Sequence, residues 1–258
     1  MIIFTIANTI GKQCISMCTI CGAFTLFLLH ALIALLRAPI RIKRLFEQMN
    51  TIGVGSFSII ILTGGATGAI LALQSYNGFK RFGAEEFIGT IVALSLTREL
   101  GPVLTALMVT GRAGSAMAAE LGTMQITEQI DALKTLRIDI QHYLIIPRIL
   151  GSVIILPFLT VFSMIFGIVG GYFISTFVLG VNGEVYITGI KTYLELSDIT
   201  GGLIKSAFFG LILGWVGCFK GFYTYGGAKG VGASTTESVV VSSILILISD
   251  YFLTAFLF

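Results

Sequence analysis

The sequence predicts an all-α integral membrane protein with five spans, and three observations carry that prediction. Charged residues make up 11% of the 258-residue chain and hydrophobic residues 55%, whereas soluble domains carry about 25% charge. Five apolar segments each offer the roughly 20 residues that a helical crossing needs. Lys and Arg alternate between rich and poor loops as the chain passes from one segment to the next, the pattern that sets orientation in a bilayer. The net charge of +3 is too small to suggest nucleic acid.

Taken in order, residues 1–14, MIIFTIANTIGKQC, lack the Arg- and Ser-rich pattern of a transit peptide, and the apolar run after Lys12 has no A-x-A-like cleavage site. The chain is therefore expected to be made in the compartment whose membrane it enters, in a bacterium or a plastid. Heavy use of isoleucine points toward an A+T-rich genome such as a plastid's. Residues 15–36, ISMCTICGAFTLFLLHALIALL, admit two readings: a sixth span, or a helix lying in one leaflet and anchored by Arg37, Arg41, Lys43 and Arg44. Cys14, Cys18 and Cys21 have the spacing of a radical-SAM iron–sulfur loop. They sit in an apolar helix with no βα units after it, so with Cys218 they read as small hydrophobes.

The five spans are expected at roughly 52–75, 87–111, 149–179, 199–219 and 238–258. Arg98 and Glu99 interrupt the second near its middle. The third is too long to cross a core of about 30 Å upright, so it must tilt, project, or bend near Pro157 or Gly170–Gly171. Asp250 lies inside the fifth, with Arg98, Lys205 and the nearby serines 242, 243 and 249 as candidate partners. Small residues recur at helical spacing (Gly64/Gly68, Gly111/Ser115/Ala119, Gly167/Gly171, Gly210/Gly214), which lets helices approach closely in a bilayer; one such row is a candidate dimer seam. Arg112, Lys134, Arg137 and Arg148 mark the 111–148 loop as cytoplasmic (or stromal), and the amino terminus with it.

That loop, beginning GRAGSAMAAELGTMQITEQIDALKTLRID, is the polar interruption of the chain. Thr127 is expected to cap a helix whose first turn carries Glu128 and Asp131 and whose end carries Lys134 and Arg137, an order that suits the helix dipole. Ile126, Ile130, Leu133 and Leu136 form one apolar stripe. The stripe either docks in a groove of a soluble partner or rests on its own bundle.

Several runs in this region resemble one known family, in order: Arg98-Glu99-Leu100, Gly101-Pro102, Gly111-Arg112, Ala118-Ala119-Glu120-Leu121-Gly122-Thr123-Met124, Thr127 through Leu133, Pro147-Arg148, and a late glycine-rich loop from Gly226 to Gly232. The chain is similar, over roughly residues 40–258, to the MlaE-type permease subunits of lipid-moving ABC transporters, a group that includes the plastid trigalactosyldiacylglycerol permease-like proteins. The resemblance implies a single permease domain over 1–258, with an amino-terminal interfacial helix region at 1–48 and a transmembrane bundle at 49–258. It favours the in-leaflet placement of 15–36 and makes the 127–136 helix a coupling helix. It implies partners: an ABC ATPase subunit, a lipid-binding protein with an MCE domain on the far side, a second copy of the chain, and membrane lipids. Glu120, Glu128 and Asp131 carry over as ATPase-coupling residues, and Arg112 and Leu133 complete that candidate set. Arg98, Glu99 and Asp250 form the candidate substrate pathway. Arg98 either faces a central cavity and attracts an anionic headgroup, or lies at the outer interface if the span begins near Leu100. The expected location is a plastid inner envelope or bacterial inner membrane.

Other chemistry is excluded by composition and spacing. GGAKGVGAS at 226–234 lacks the G-x-x-x-x-G-K-[ST] order of a P-loop, so ATP belongs to a partner and no cofactor is expected. His30 and His142 are far apart, and Asp250 is the one aspartate expected inside a span, so neither a zinc site nor an intramembrane aspartyl protease fits. No catalytic or metal-binding set is predicted. The rival functions are an autonomous secondary carrier or channel that uses Arg98, Glu99 and Asp250 as an ion relay, and a scaffold that only recruits a soluble protein.

Overall fold

A computed structural model describes residues 2–37 and 41–258, and every element among the described residues is helical. In chain order they are α1 (Ile2–Arg37), α2 (Ile42–Phe82), α3 (Glu85–Ile126), α4 (Gln129–Thr135), α5 (Gln141–Val178), α6 (Gly183–Tyr193), α7 (Leu196–Phe222) and α8 (Gly227–Leu257). Five of these, α2, α3, α5, α7 and α8, are long and apolar enough to cross a membrane. This is an all-α, multi-pass membrane protein.

The helices outrun their apolar centres. At 38 residues, α5 reaches about 57 Å and must tilt or project beyond the hydrocarbon. The helix is not interrupted at Pro157: Ile146–Phe173 is one continuous α-helix, and the irregular π turns lie at its two ends, Gln141–Ile145 and Ile174–Val178. Gly170 and Gly171 serve packing, set against the Gly65 backbone and the Tyr186 hydroxyl.

Close backbone approach holds α2 against α5. A Cβ on Gly68 would collide with the Gly167 carbonyl, and one on Gly64 would meet the Ser163 backbone. With no solvent to drive apolar faces together, such small-residue contacts supply the packing. α7 is the central helix, with 67% of its apolar window buried, whereas α8 is peripheral at 11%.

Three apolar clusters stack along the bundle. Ile52, Ile60, Ala106, Leu156, Phe209 and Leu213 fill the middle. Leu121, Ile130, Leu144, Ile145 and Phe219 close the α4 end, joined there by Phe27 and Ala31 of α1. Ala72, Ile88, Val92, Leu96 and Tyr186 close the opposite, α6 end. α1 is tied down through Phe24, whose ring stacks on Trp215 at 3.9 Å and whose carbonyl accepts the Trp215 indole N–H at 3.1 Å. The side chains of Cys14 and Arg37 lie outside the described residues.

Two local expectations are corrected. The glycine-rich stretch after Tyr225 is not a long loop: Gly226 and Gly227, at φ 87° and 67°, make the turn, and the following residues already wind the first turns of α8. The fifth crossing helix thus starts well before residue 238. Residues 180–195 are more ordered than a loop: Asn182 accepts a bond from Glu184 N at 2.9 Å and starts α6, which lays Tyr186 against α3 and α5. The Tyr186 hydroxyl donates to Ile168 O at 3.2 Å, and burial raises its pKa above the ordinary phenol value, so it stays a donor.

Candidate functional site

The charged residues predicted inside the bilayer meet at one place, and buried side chains of α7 assemble them. Arg98 and Glu99 sit in a π turn of α3, Leu96–Leu100, within a helix that runs unbroken from Glu85. Arg98 brings Nε and Nη2 to 2.7 Å from Asp198 Oδ1. The other Asp198 oxygen accepts the Glu195 N–H at 3.0 Å, closing a capping box at the start of α7.

About two turns further along α7, Lys205 is fully buried. Its three ammonium protons go to Arg98 O at 2.9 Å, Glu99 Oε2 at 2.8 Å and Thr254 Oγ1 at 2.7 Å. Asp250 Oδ1 also lies 2.8 Å from that nitrogen but accepts no directed bond, so it balances charge without a proton of its own. Asp250 therefore pairs with Lys205, not with Arg98 or the serines; Ser249 is turned to Leu245 O at 2.6 Å. Thr254 ties the group together by donating to Glu99 Oε1 at 2.9 Å, sharing that proton with Asp250 O at 2.8 Å.

The cluster therefore holds two cations and three carboxylates. Asp198 and Lys205 anchor it out of reach of solvent, while Arg98 and Glu99 keep 43% and 36% of their side chains exposed on the open face of α3. Such an arrangement can present a guanidinium to an anionic group without letting the arginine wander. Asp198 lies one residue before the span expected from the sequence at 199–219. The E-x-x-D pattern from Glu195 was the signal that it caps a helix.

The candidate coupling residues fall in separate environments at the α4 end. Arg112 occupies a second π turn of α3, Thr110–Gly114, and folds over α2 at Gly55, where a Cβ would collide with the guanidinium; it reaches Ser56 Oγ at 3.3 Å and Thr51 O at 3.4 Å. π turns are rare and concentrate at functional positions; here each holds one of the two arginines of α3. Glu120 accepts Arg148 Nη2 at 3.0 Å, and that arginine is almost wholly buried.

α4 is shorter than expected and capped differently. Thr127 does not cap it: its hydroxyl donates back to Thr123 O at 2.7 Å, ending α3. Glu128 takes the N-cap position in the left-handed conformation, φ 59°, with no side-chain cap bond. Asp131 pairs with Lys134 at 2.7 Å, both exposed. The apolar stripe divides between the two readings. Ile130 is buried and Leu133 half-buried against the bundle, while Leu136 is 70% exposed. Beside it a cavity of about 430 Å³ opens between Arg44, Gln129, Leu136, Tyr143 and Arg148. Among the described residues no His, Cys, Asp or Glu group is arranged to hold a metal.

Comparison with known proteins places the chain in a family. The family described as Permease MlaE matches residues 45–256. A probable ABC transporter permease protein of Rickettsia conorii is 46% identical over 256 residues, covering 99% of each chain. The intermembrane phospholipid transport system permease protein MlaE of Haemophilus influenzae is 37% identical, covering 97% of each. The protein TRIGALACTOSYLDIACYLGLYCEROL 1, chloroplastic, of Arabidopsis thaliana is 39% identical over 89% of this chain and 65% of its own length. The chain belongs to the MlaE permease family.

Proposed function

We propose that this chain is the membrane subunit of an ABC transporter that moves glycerolipids or phospholipids, driven by ATP hydrolysis on a separate subunit. The observation that carries the reading is the family match, which runs unbroken across both α4 and the charged cluster. The α4 end is the cytoplasmic end, where Arg41, Lys43, Arg44, Lys134, Arg137 and Arg148 gather. There the ATPase grips the exposed side of α4, through Glu128 and Asp131, with Arg112 and Glu120 nearby on α3 and Leu133 tying α4 to the bundle. α1 lies in the cytoplasmic leaflet, since its aromatic anchors meet α7 at Trp215 and Phe219–Tyr223, near that end.

The charges support a second copy of the chain. Arg98 and Glu99 stay partly exposed within α3, and exposure of such groups to hydrocarbon is costly. Two copies facing one another enclose a cavity in which Arg98 meets the lipid headgroup. A lipid-binding partner with an MCE domain sits over the α6 end. ATP-driven closure of the ATPase pair pushes α4, and Ile130 and Leu133 pass the motion to α3, α5 and α7.

Co-purification from a detergent-solubilised membrane tests the reading. A stoichiometric ATPase whose turnover rises with added lipid is the expected result. Lipid or ion flux by the chain alone, without nucleotide and driven by a gradient, would replace it with the secondary-carrier reading.

A further inference from the structure

The second half of α1 arches over a cavity of about 370 Å³ between it, α5 and α7. Leu28 and Leu32 of α1, Ile149 and Leu150 of α5, and Ala207 and Phe208 of α7 bound it, and its whole lining consists of Leu, Ile, Val, Ala and Phe side chains. A water molecule there would find no polar partner. Its α5 wall is in the first turns after the cytoplasmic loop, so it opens into the hydrocarbon of the cytoplasmic leaflet.

A basic group lies three residues before the α5 wall of this cavity, where Arg44 and Tyr143 line the neighbouring cavity beside α4. Tyr143, one turn before Ile146 of the lining, carries Arg44 Cζ 3.6 Å and Arg41 Cζ 5.0 Å from its ring centre. Arg41 and Lys43 are exposed and Arg44 is half-buried. Cations clustered at the cytoplasmic interface beside an intramembrane groove are the features that recognise an acidic lipid headgroup. Cation–π contact with Tyr143 holds two of them at the level where α5 enters the bilayer.

We propose that this cavity is a resident-lipid site, which takes one acyl chain of an anionic glycerophospholipid of the cytoplasmic leaflet while Arg41, Lys43 and Arg44 hold its phosphate. The site is distinct from the transport path. Ile204 lines it, whereas the next residue, Lys205, turns into the charged cluster on the other side of α7. The lipid is thus a ligand that seats α1 on the bundle, not cargo. The inference rests only on the orientation given above and does not depend on the ATPase reading.

The chain carries its own reporter. Its single tryptophan, Trp215, lies one turn from Leu211 of the lining, and bromine on an acyl chain quenches an indole on contact. The full chain is reconstituted in phosphatidylcholine vesicles with a minor fraction of either dibrominated phosphatidylglycerol or dibrominated phosphatidylcholine. The anionic lipid is expected to quench at a much lower mole fraction than the zwitterionic one. Arg41→Gln with Lys43→Gln should raise the half-quenching fraction about tenfold or more, since each surface cation contributes roughly fivefold. Ala207→Phe, and independently Leu150→Phe, should remove the quenching by filling the groove. Equal quenching by both lipids in the unaltered chain overturns the anionic site, and quenching that survives in a correctly folded groove-filling variant overturns the placement.

Discussion

Asp198 divides its carboxylate between two helices, one oxygen on Arg98 of α3 at 2.7 Å and the other on the Glu195 N–H that opens α7. The intramembrane arginine is therefore fixed by the same group that starts the central helix. Asp198→Ala should lower the melting temperature by removing a helix cap worth about 1 kcal/mol together with the ion pair. Asp198→Asn, which keeps an acceptor, should be milder. Thermal unfolding in detergent, followed by circular dichroism, separates them; equal losses would mean that the cap contributes nothing.

Lys205 is the structural centre of the cluster. Lys205→Ala leaves Glu99 and Asp250 facing each other without a cation, and breaking a buried pair costs about 3–5 kcal/mol. Lys205→Met combined with Glu99→Gln and Asp250→Asn should recover most of that loss, because the uncompensated charges go with it. Unfolding of the single and triple variants measures the difference. A triple variant no more stable than Lys205→Ala would contradict the electrostatic account.

Packing of α2 on α5 makes a sharper prediction. Gly68→Val should abolish the close contact with the Gly167 carbonyl and give little folded protein, whereas Gly78→Ala, with nothing within 4 Å of the added Cβ, should behave as the parent. Yield and elution profile after detergent extraction read this directly.

The role proposed for Glu128 can be separated from its backbone strain. Glu128→Gly should leave the chain at least as stable, since glycine adopts φ 59° without the roughly 1 kcal/mol cost of an L residue there. Loss of ATPase binding in that variant would then report the carboxylate itself. Asp131→Lys breaks only an exposed pair worth about 0.3–0.5 kcal/mol, so it too should fold normally while releasing the ATPase. Thr127→Ala should change stability by no more than about 0.5 kcal/mol, because Thr127 caps no helix.

The five crossings were legible because hydropathy and charge distribution are properties of composition alone. The polar α4 region and the isolated charges Arg98, Glu99 and Asp250 were legible for the same reason. Which charges meet was not, since Asp250 could reach several partners and only the packing of α3, α7 and α8 around Lys205 selects one. The two π turns of α3 have no sequence signature; they lie where Arg98 and Arg112 turn toward particular neighbours. α6 escaped notice because it is too short to cross and falls between two spans, where a loop is expected, although Asn182 followed by Glu184 marks its start. Thr127 misled because the residue after it adopts a left-handed conformation, which moves the helix start forward.

The Phe24–Trp215 contact joins positions 191 residues apart, and this separation fixes an order of events during synthesis. α1 leaves the ribosome first, yet the surface that receives it does not exist until α7 has been made and inserted. Until then its aromatic face has only lipid to lie against, and a non-local contact of this span is expected to close late. A nascent chain arrested before residue 215 should leave α1 open to protease, and one released after residue 222 should protect it.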